Sequence, residues 1–239
     1  SGGSEANETS VKVARAYYRR VGHAGRYKII SRRHSYHGSL GMSMWLGGVP
    51  SGNTRVDYEP AYPGMVYVPQ PYPYRCELGG TNPEECAELC ATALENQILF
   101  SGPDSVAAFI AEPIAVPPPV AVPGQSYWPR VREICDKYGV ILIADEVITG
   151  FGRTGRMFGI DHWGVNPDVM SIAKGVVSSY LPLGATLASE SIAGAFSGVE
   201  GSRFFQHVLT NSGHPVAAAA SLRNIEIIEE EGLVENSAY

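Results

Sequence analysis

Two short apolar runs, each closed by a charged residue, constrain this chain more than anything else in it. Val140-Ile141-Leu142-Ile143-Ala144 ends at Asp145, and Asp168-Val169-Met170-Ser171-Ile172-Ala173 ends at Lys174. Both runs are too short for a buried helix and rich in β-branched residues, so they read as buried strands. A carboxylate and an amine then emerge at strand ends, where open α/β sheets bind their ligands.

Elements of alternating type surround this pair. Glu5 to Val21 reads as a helix with Val11, Ala14 and Tyr18 along one stripe and Gly22 as its stop. Tyr27 to Ser31 and Val106 to Ala111 read as strands, as does Leu183 to Ala188. Helices are expected from Pro83 or Glu84 to Phe100, from Tyr127 to Tyr138 with Gly139 as the stop, and from Pro215 to Glu231. Residues 34–83 are rich in Gly, Pro, Ser and Tyr and read as a long functional loop region. The Pro-rich stretch 113–123 reads as an extended loop. Alternating strands and helices predict an α/β fold, a mostly parallel sheet flanked by helices on both faces. Both ends of the polypeptide read as cut. Residues 1–239 are therefore expected to form part of one large domain, with a smaller domain mostly outside them.

Bulk properties remove several function classes. The formal net charge is −6 and Lys and Arg are not clustered, so nucleic acid is not an expected partner. Arg19-Arg20 and Arg32-Arg33 read as solvated faces. No uninterrupted apolar stretch approaches the ~20 residues that span a bilayer, so no membrane partner is expected. Of the four cysteines, none forms a C-x-x-C pair; Cys86 and Cys90 share a helix face, but the spacing argues against zinc. They read as buried, reduced thiols of a cytoplasmic protein, with no metal site. His34 and His37 fall in a loop rather than on a metal-binding helix face. No G-x-G-x-x-G stands between a strand and a helix, which argues against a nicotinamide cofactor.

Several residues carry chemistry. Gly2-Gly3-Ser4 precedes a helix, a place where backbone N–H groups hold phosphate, although Ser4 could equally be a simple cap. The ring of Tyr36, in Tyr36-His37-Gly38, could stack on a flat cofactor or merely pack. Asp145 follows five apolar residues and needs a partner, because an unpaired buried charge is costly. That partner is a protonated pyridine nitrogen or an arginine, with Arg153 and Arg156 the candidates, unless the carboxylate caps a turn. Val147, two residues on, points to the same side and could pack against a ring face. Lys174 sits between an apolar strand and Gly175, where desolvation frees its amine for imine formation. Thr210 could bind phosphate or cap a following helix. A lysine that forms an imine, with an acid that keeps a pyridine nitrogen protonated, is the minimum equipment for pyridoxal 5′-phosphate (PLP) chemistry.

The order and wording of these segments are more specific than any one of them. Gly2-Gly3-Ser4-Glu5-Ala6-Asn7-Glu8, Tyr36-His37-Gly38, the run from Asp145 to Gly155, Ala173-Lys174-Gly175 and Ser212-Gly213-His214-Pro215 resemble the class III aminotransferases, the ω-transaminase family of PLP fold type I. That resemblance implies that Lys174 holds PLP covalently and shuttles a proton, and that Asp145 binds the pyridine nitrogen. It implies that Tyr36, beside His37, stacks on one ring face, that Val147 packs on the other, and that Gly3 and Ser4 hold the phosphate. It gives Glu112 a supporting role near the cofactor. Thr210 would reach the phosphate of a neighbouring subunit's cofactor, which implies a homodimer with shared active sites.

The implied reaction moves an amino group from an amine or an ω- or α-amino acid to a keto acid such as pyruvate, with ping-pong kinetics. An aminomutase, a decarboxylating transaminase and a non-catalytic fragment are the alternatives. The chain departs from the family pattern at 114–120 and 176–180. Pro117 stands where ornithine- and γ-aminobutyrate-type members carry a second glutamate that gates a substrate arginine. That arginine would lie beyond residue 239.

Overall fold

The computed structural model describes residues 2–47, 55–116, 120–197 and 204–238. Pro117, named above, lies outside them. A six-stranded sheet runs β2-β1-β3-β4-β5-β6. Its strands are β1 (Lys28–Arg32), β2 (Met65–Val68), β3 (Val106–Ala111), β4 (Ile141–Asp145), β5 (Val169–Ala173) and β6 (Gly184–Ala188). β1 to β5 are mutually parallel, and β6 closes one edge antiparallel to β5.

Adjacent residues of the strands feed two cores, as a sheet covered on both faces requires. Ile30, Phe109 and Leu142 point to the side covered by α3 (Pro83–Ser101) and α4 (Tyr127–Tyr138). Ile29, Ile110, Ile141 and Ile143 point to the side covered by α1 (Gly3–Arg20), through Val11, Ala14 and Tyr18. Smaller helices α2 (Gly41–Leu46) and α5 (Glu190–Ala193) contribute Leu46 and Ile192 to that second core. α6 (Pro215–Glu230) and α7 (Leu233–Ser237) follow in the last part of the chain.

The structure corrects four expectations. The first helix begins at Gly3, not Glu5: the Glu5 carboxylate accepts the Gly2 N–H at 2.8 Å and so closes the first turn earlier. The irregular stretch 34–83 contains α2 and the edge strand β2, whose hydrogen bonds come from β1 rather than from any local pattern. Arg32 does not face solvent. It is fully buried and pairs with Glu112 at 3.1 Å, while Arg33 is exposed. Thr210 does not cap a helix: α6 starts at Pro215 with His214 as its cap residue, and Thr210 sits exposed in the turn before it.

Gly150-Phe151-Gly152-Arg153-Thr154-Gly155 does read G-x-G-x-x-G after β4. It leads into turns and the short 3₁₀ segment Gly159–Trp163, so no helix N-terminus follows it as a dinucleotide fold demands.

Candidate active site

Four neighbouring strands deliver four polar side chains to one edge of the sheet. Arg32 ends β1, Glu112 follows β3, Asp145 ends β4 and Lys174 follows β5. All four strands are parallel, so this is the carboxyl edge, and it is where the cleft lies. Gly3, Ser4, Asn7, Tyr36, His37, Gly38, Glu112, Asp145, Val147 and Lys174 line it together with Ile148. It continues past Gly3 and Lys174 into a wider groove bounded by Tyr180 and Leu183. Thr210 is not among the residues lining either space.

Asp145 is buried and held by three donors. Its Oδ2 accepts from Asn7 Nδ2 and from His37 Nδ1, each at 2.7 Å, and its Oδ1 accepts from the Val147 backbone N–H at 3.1 Å. Neither Arg153 nor Arg156 pairs with it, whereas the Val147 N–H two residues on makes the carboxylate a turn cap as well. Asn7 Nδ2 also donates to the His37 carbonyl at 2.8 Å, tying α1 to the loop after β1.

His37 continues the chain of charges. Its Nε2 lies 3.8 Å from Glu112 Oε2. Burial alone pulls the imidazole pKa down; the Glu112 charge, the hydrogen bond to Asp145 and the Asp145 charge outweigh it, against the opposing Arg32, and leave it raised. Glu112 in turn accepts from Arg32 Nη2 and, at 3.0 Å, from the Tyr36 N–H. The alternation Arg32, Glu112, His37, Asp145 gives each buried charge an opposite neighbour, which is what makes its burial tolerable.

Lys174 stands at the open side of the cleft with a left-handed backbone, φ 46°, at the start of the 3₁₀ segment Lys174–Val177. Its ammonium makes no hydrogen bond among the described residues. Burial lowers its pKa, and the Asp145 charge partly offsets the shift. Beyond it β5 has ended and Gly175 passes close to Phe151, where a Cβ would lie 3.0 Å from the Phe151 Cβ.

The start of α1 forms the opposite wall. A Cβ on Gly3 would fall 2.8 Å from Val147 Cγ1, so only glycine lets the helix turn approach that side chain. A Cβ on Gly38, at φ 129°, would fall 2.5 Å from Ser4 Oγ. The Ser4 hydroxyl accepts the Ser39 N–H at 3.2 Å, so the loop after β1 is laced onto the helix start. The Tyr36 hydroxyl pairs with Ser39 Oγ at 2.9 Å, and the ring is partly exposed at the cleft mouth.

Two of these residues escaped the sequence reading. Asn7 lies on the buried stripe of α1, four before Val11 and seven before Ala14. A polar residue at a core position needs a partner, and that is the signal that could have flagged it. Arg32 closes a strand whose preceding residues Ile29, Ile30 and Ser31 are all buried, and the same argument applies.

These residues fit PLP. An anchored carboxylate acceptor faces an amine across a narrow slot, a valine forms one wall of the slot, and a helix N-terminus cleared of side chains by Gly3 lies at one end. Such a terminus favours an anion. Asp145, Lys174 and the α1 start together match the needs of a pyridinium, a carbonyl carbon and a phosphate.

Comparisons with known proteins agree. The family model for aminotransferase class-III matches residues 1–239. The putrescine–pyruvate aminotransferase of Pseudomonas aeruginosa is 44% identical over 233 residues, covering 98% of this chain and 50% of that protein. Gamma aminobutyrate transaminase 2 of Solanum lycopersicum is 41% identical over 236 residues, covering 98% of this chain and 51% of that protein. Among solved structures, an amine transaminase from an uncultivated Pseudomonas species in its PLP-bound (internal aldimine) form aligns with a TM-score of 0.93 at 42% identity, covering 99% of this chain and 53% of that one. A thermostable (S)-enantioselective omega-transaminase from Thermomicrobium roseum aligns with a TM-score of 0.91 at 43% identity, covering 99% of this chain and 52% of that one. The chain thus spans about half the length of these relatives. With its whole length matched by the family model, the chain belongs to the class III aminotransferase family.

Proposed function

We propose that the intact protein is a PLP-dependent transaminase that takes the nitrogen of a primary amine or an ω- or α-amino acid and gives it to a keto acid such as pyruvate. The observation that carries this reading is the convergence of Lys174 and Asp145 on one cleft that opens beside a helix N-terminus. Two of the relatives are named for putrescine with pyruvate and for γ-aminobutyrate; both donors end in an unhindered primary amine, and this chain's donor is proposed to do the same.

When bound, PLP supplies an electrophilic carbonyl carbon and an electron-accepting ring. Lys174 Nζ, desolvated at the cleft, would be the amine that holds the cofactor and the base available to a donor carbon. Asp145 would hold a proton on the pyridine nitrogen through a charge-assisted hydrogen bond. Asn7, His37 and the Val147 N–H fix the carboxylate in that pose. Val147 and Tyr36, which line the same cleft, would enclose the ring. Gly3 and Ser4 would hold the phosphate, while Glu112 holds His37 and the Tyr36 backbone in place.

The protein is further proposed to work as a cytoplasmic homodimer in which Thr210 reaches the partner's cofactor phosphate. Exposed apolar side chains around that segment, with Val208 at 87% and Val216 and Leu222 also exposed, support a covered face there. Among the described residues no helix is long and apolar enough to cross a membrane.

The test is product analysis. The PLP-loaded intact protein, given putrescine or γ-aminobutyrate with pyruvate, is expected to form alanine in a ping-pong pattern. Release of carbon dioxide, or an amino group that only migrates within the donor, would overturn the reading.

A further inference from the structure

Three of the four cysteines meet on the α3 side of the sheet, outside the cleft. Cys86 and Cys90 lie one helical turn apart on the buried side of α3, 0% and 1% exposed. Cys76 follows the 3₁₀ turn Pro73–Arg75 and is half-buried. Their three sulfurs lie within 4.8 Å of one another. Only the helical pair was visible in the sequence; the third sulfur arrives by folding of the loop before α3.

The loop is pressed onto the helix start. A Cβ on Gly80 would fall 2.7 Å from the Cys86 nitrogen and 3.2 Å from Cys76 Sγ, so a glycine is needed for the Cys76 turn to close over Cys86.

The cluster holds sulfur ligands alone. Thiolates select soft cations. A metal–sulfur bond of about 2.3 Å in a trigonal arrangement sets the sulfurs roughly 4.0 Å apart. Closing the cluster to that spacing moves the sulfurs by about an ångström or less, well within the reach of a cysteine on a loop. We propose that Cys76, Cys86 and Cys90 form a binding site for a thiophilic d¹⁰ cation of the Zn²⁺ or Cu⁺ class, entered from the half-exposed Cys76 side. Binding forms three metal–sulfur bonds and releases the three thiol protons to solvent. No electron is transferred, and the cation keeps its oxidation state.

The experiment titrates the intact, PLP-loaded protein with Cd²⁺ under a phosphine reductant and follows ultraviolet difference absorption. One equivalent per chain is expected to saturate a thiolate-to-metal charge-transfer band, and Cu⁺, softer still, is expected to displace Cd²⁺ and replace that band with its own. Cys76→Ser, which leaves α3 intact, is expected to weaken Cd²⁺ by roughly 100-fold or more. Cys135→Ser is expected to leave the titration unchanged. In the unmutated protein, Cd²⁺ is expected to slow alkylation of Cys76, so the result does not depend on any variant folding. Absence of a saturable band, a band that survives Cys76→Ser, a band that needs Cys135, or an unchanged Cys76 alkylation rate would each overturn the proposal.

Discussion

Asp145 Oδ2 lies 2.7 Å from His37 Nδ1, a contact between residues 108 positions apart that joins the end of β4 to the loop after β1. The bond places an imidazole of raised pKa directly behind the carboxylate proposed to hold a pyridinium. Cofactor electronics and fold stability are therefore coupled at one histidine.

For His37 the sign follows from that shift. A histidine whose folded pKa is raised stabilises the fold fully below its unfolded value of about 6.5 and loses that contribution as pH rises through the folded value. The stability difference between the native protein and His37→Gln should therefore be largest in mild acid and shrink as pH rises. Urea unfolding across that range measures it. A difference that grows with pH would contradict the assignment.

Lys174 behaves in the opposite sense. Burial lowers its ammonium pKa, while Asp145 opposes that shift. The rate of covalent capture of pyridoxal should rise with pH to a plateau whose midpoint lies below the ordinary lysine value of about 10.4. Asp145→Asn removes the opposing charge and should move the midpoint further down. Stopped-flow absorbance reads both; an upward move in the variant would contradict the electrostatic argument.

Gly3→Ala tests the close approach of α1. The new methyl would stand 2.8 Å from Val147 Cγ1, and overpacking of this kind costs about 1–3 kcal/mol. Cofactor affinity should fall with it. Val147→Ala in the same background should restore part of both. A double-mutant cycle with no coupling would show that the two residues do not share the wall.

Arg32→Met leaves Glu112 buried without its cation. Removing one partner of a buried pair costs roughly 3–5 kcal/mol, read as a drop in the unfolding midpoint. Adding Glu112→Gln should recover part of the loss, because no uncompensated charge remains. Equal stability in the single and double variants would show that the ion pair does not govern this part of the fold.

Local signals read well from the sequence. β3 spans Val106–Ala111 and α4 spans Tyr127–Tyr138, as expected, because an all-apolar run and a glycine stop are local features. β2 was hidden because it is an edge strand with only Val68 buried, set among tyrosines and prolines. Asp145 and Lys174 stood out by position, but their supports did not. Asn7 reaches Asp145 across 138 positions, and Arg32 reaches Glu112 across 80. A partner that far away leaves only the bare anomaly of a polar residue on a buried face, which names no contact. The Cys76 sulfur is the same case, brought to Cys86 by a loop with no periodicity.

The most direct measurement is reductive trapping of the intact protein. PLP is added, the imine is reduced with borohydride, and the digest is mapped by mass spectrometry. The expected result is one pyridoxyl adduct, on Lys174, that vanishes in Lys174→Ala. An adduct on a different lysine, or no adduct on the folded protein, would contradict the assignment of this cleft.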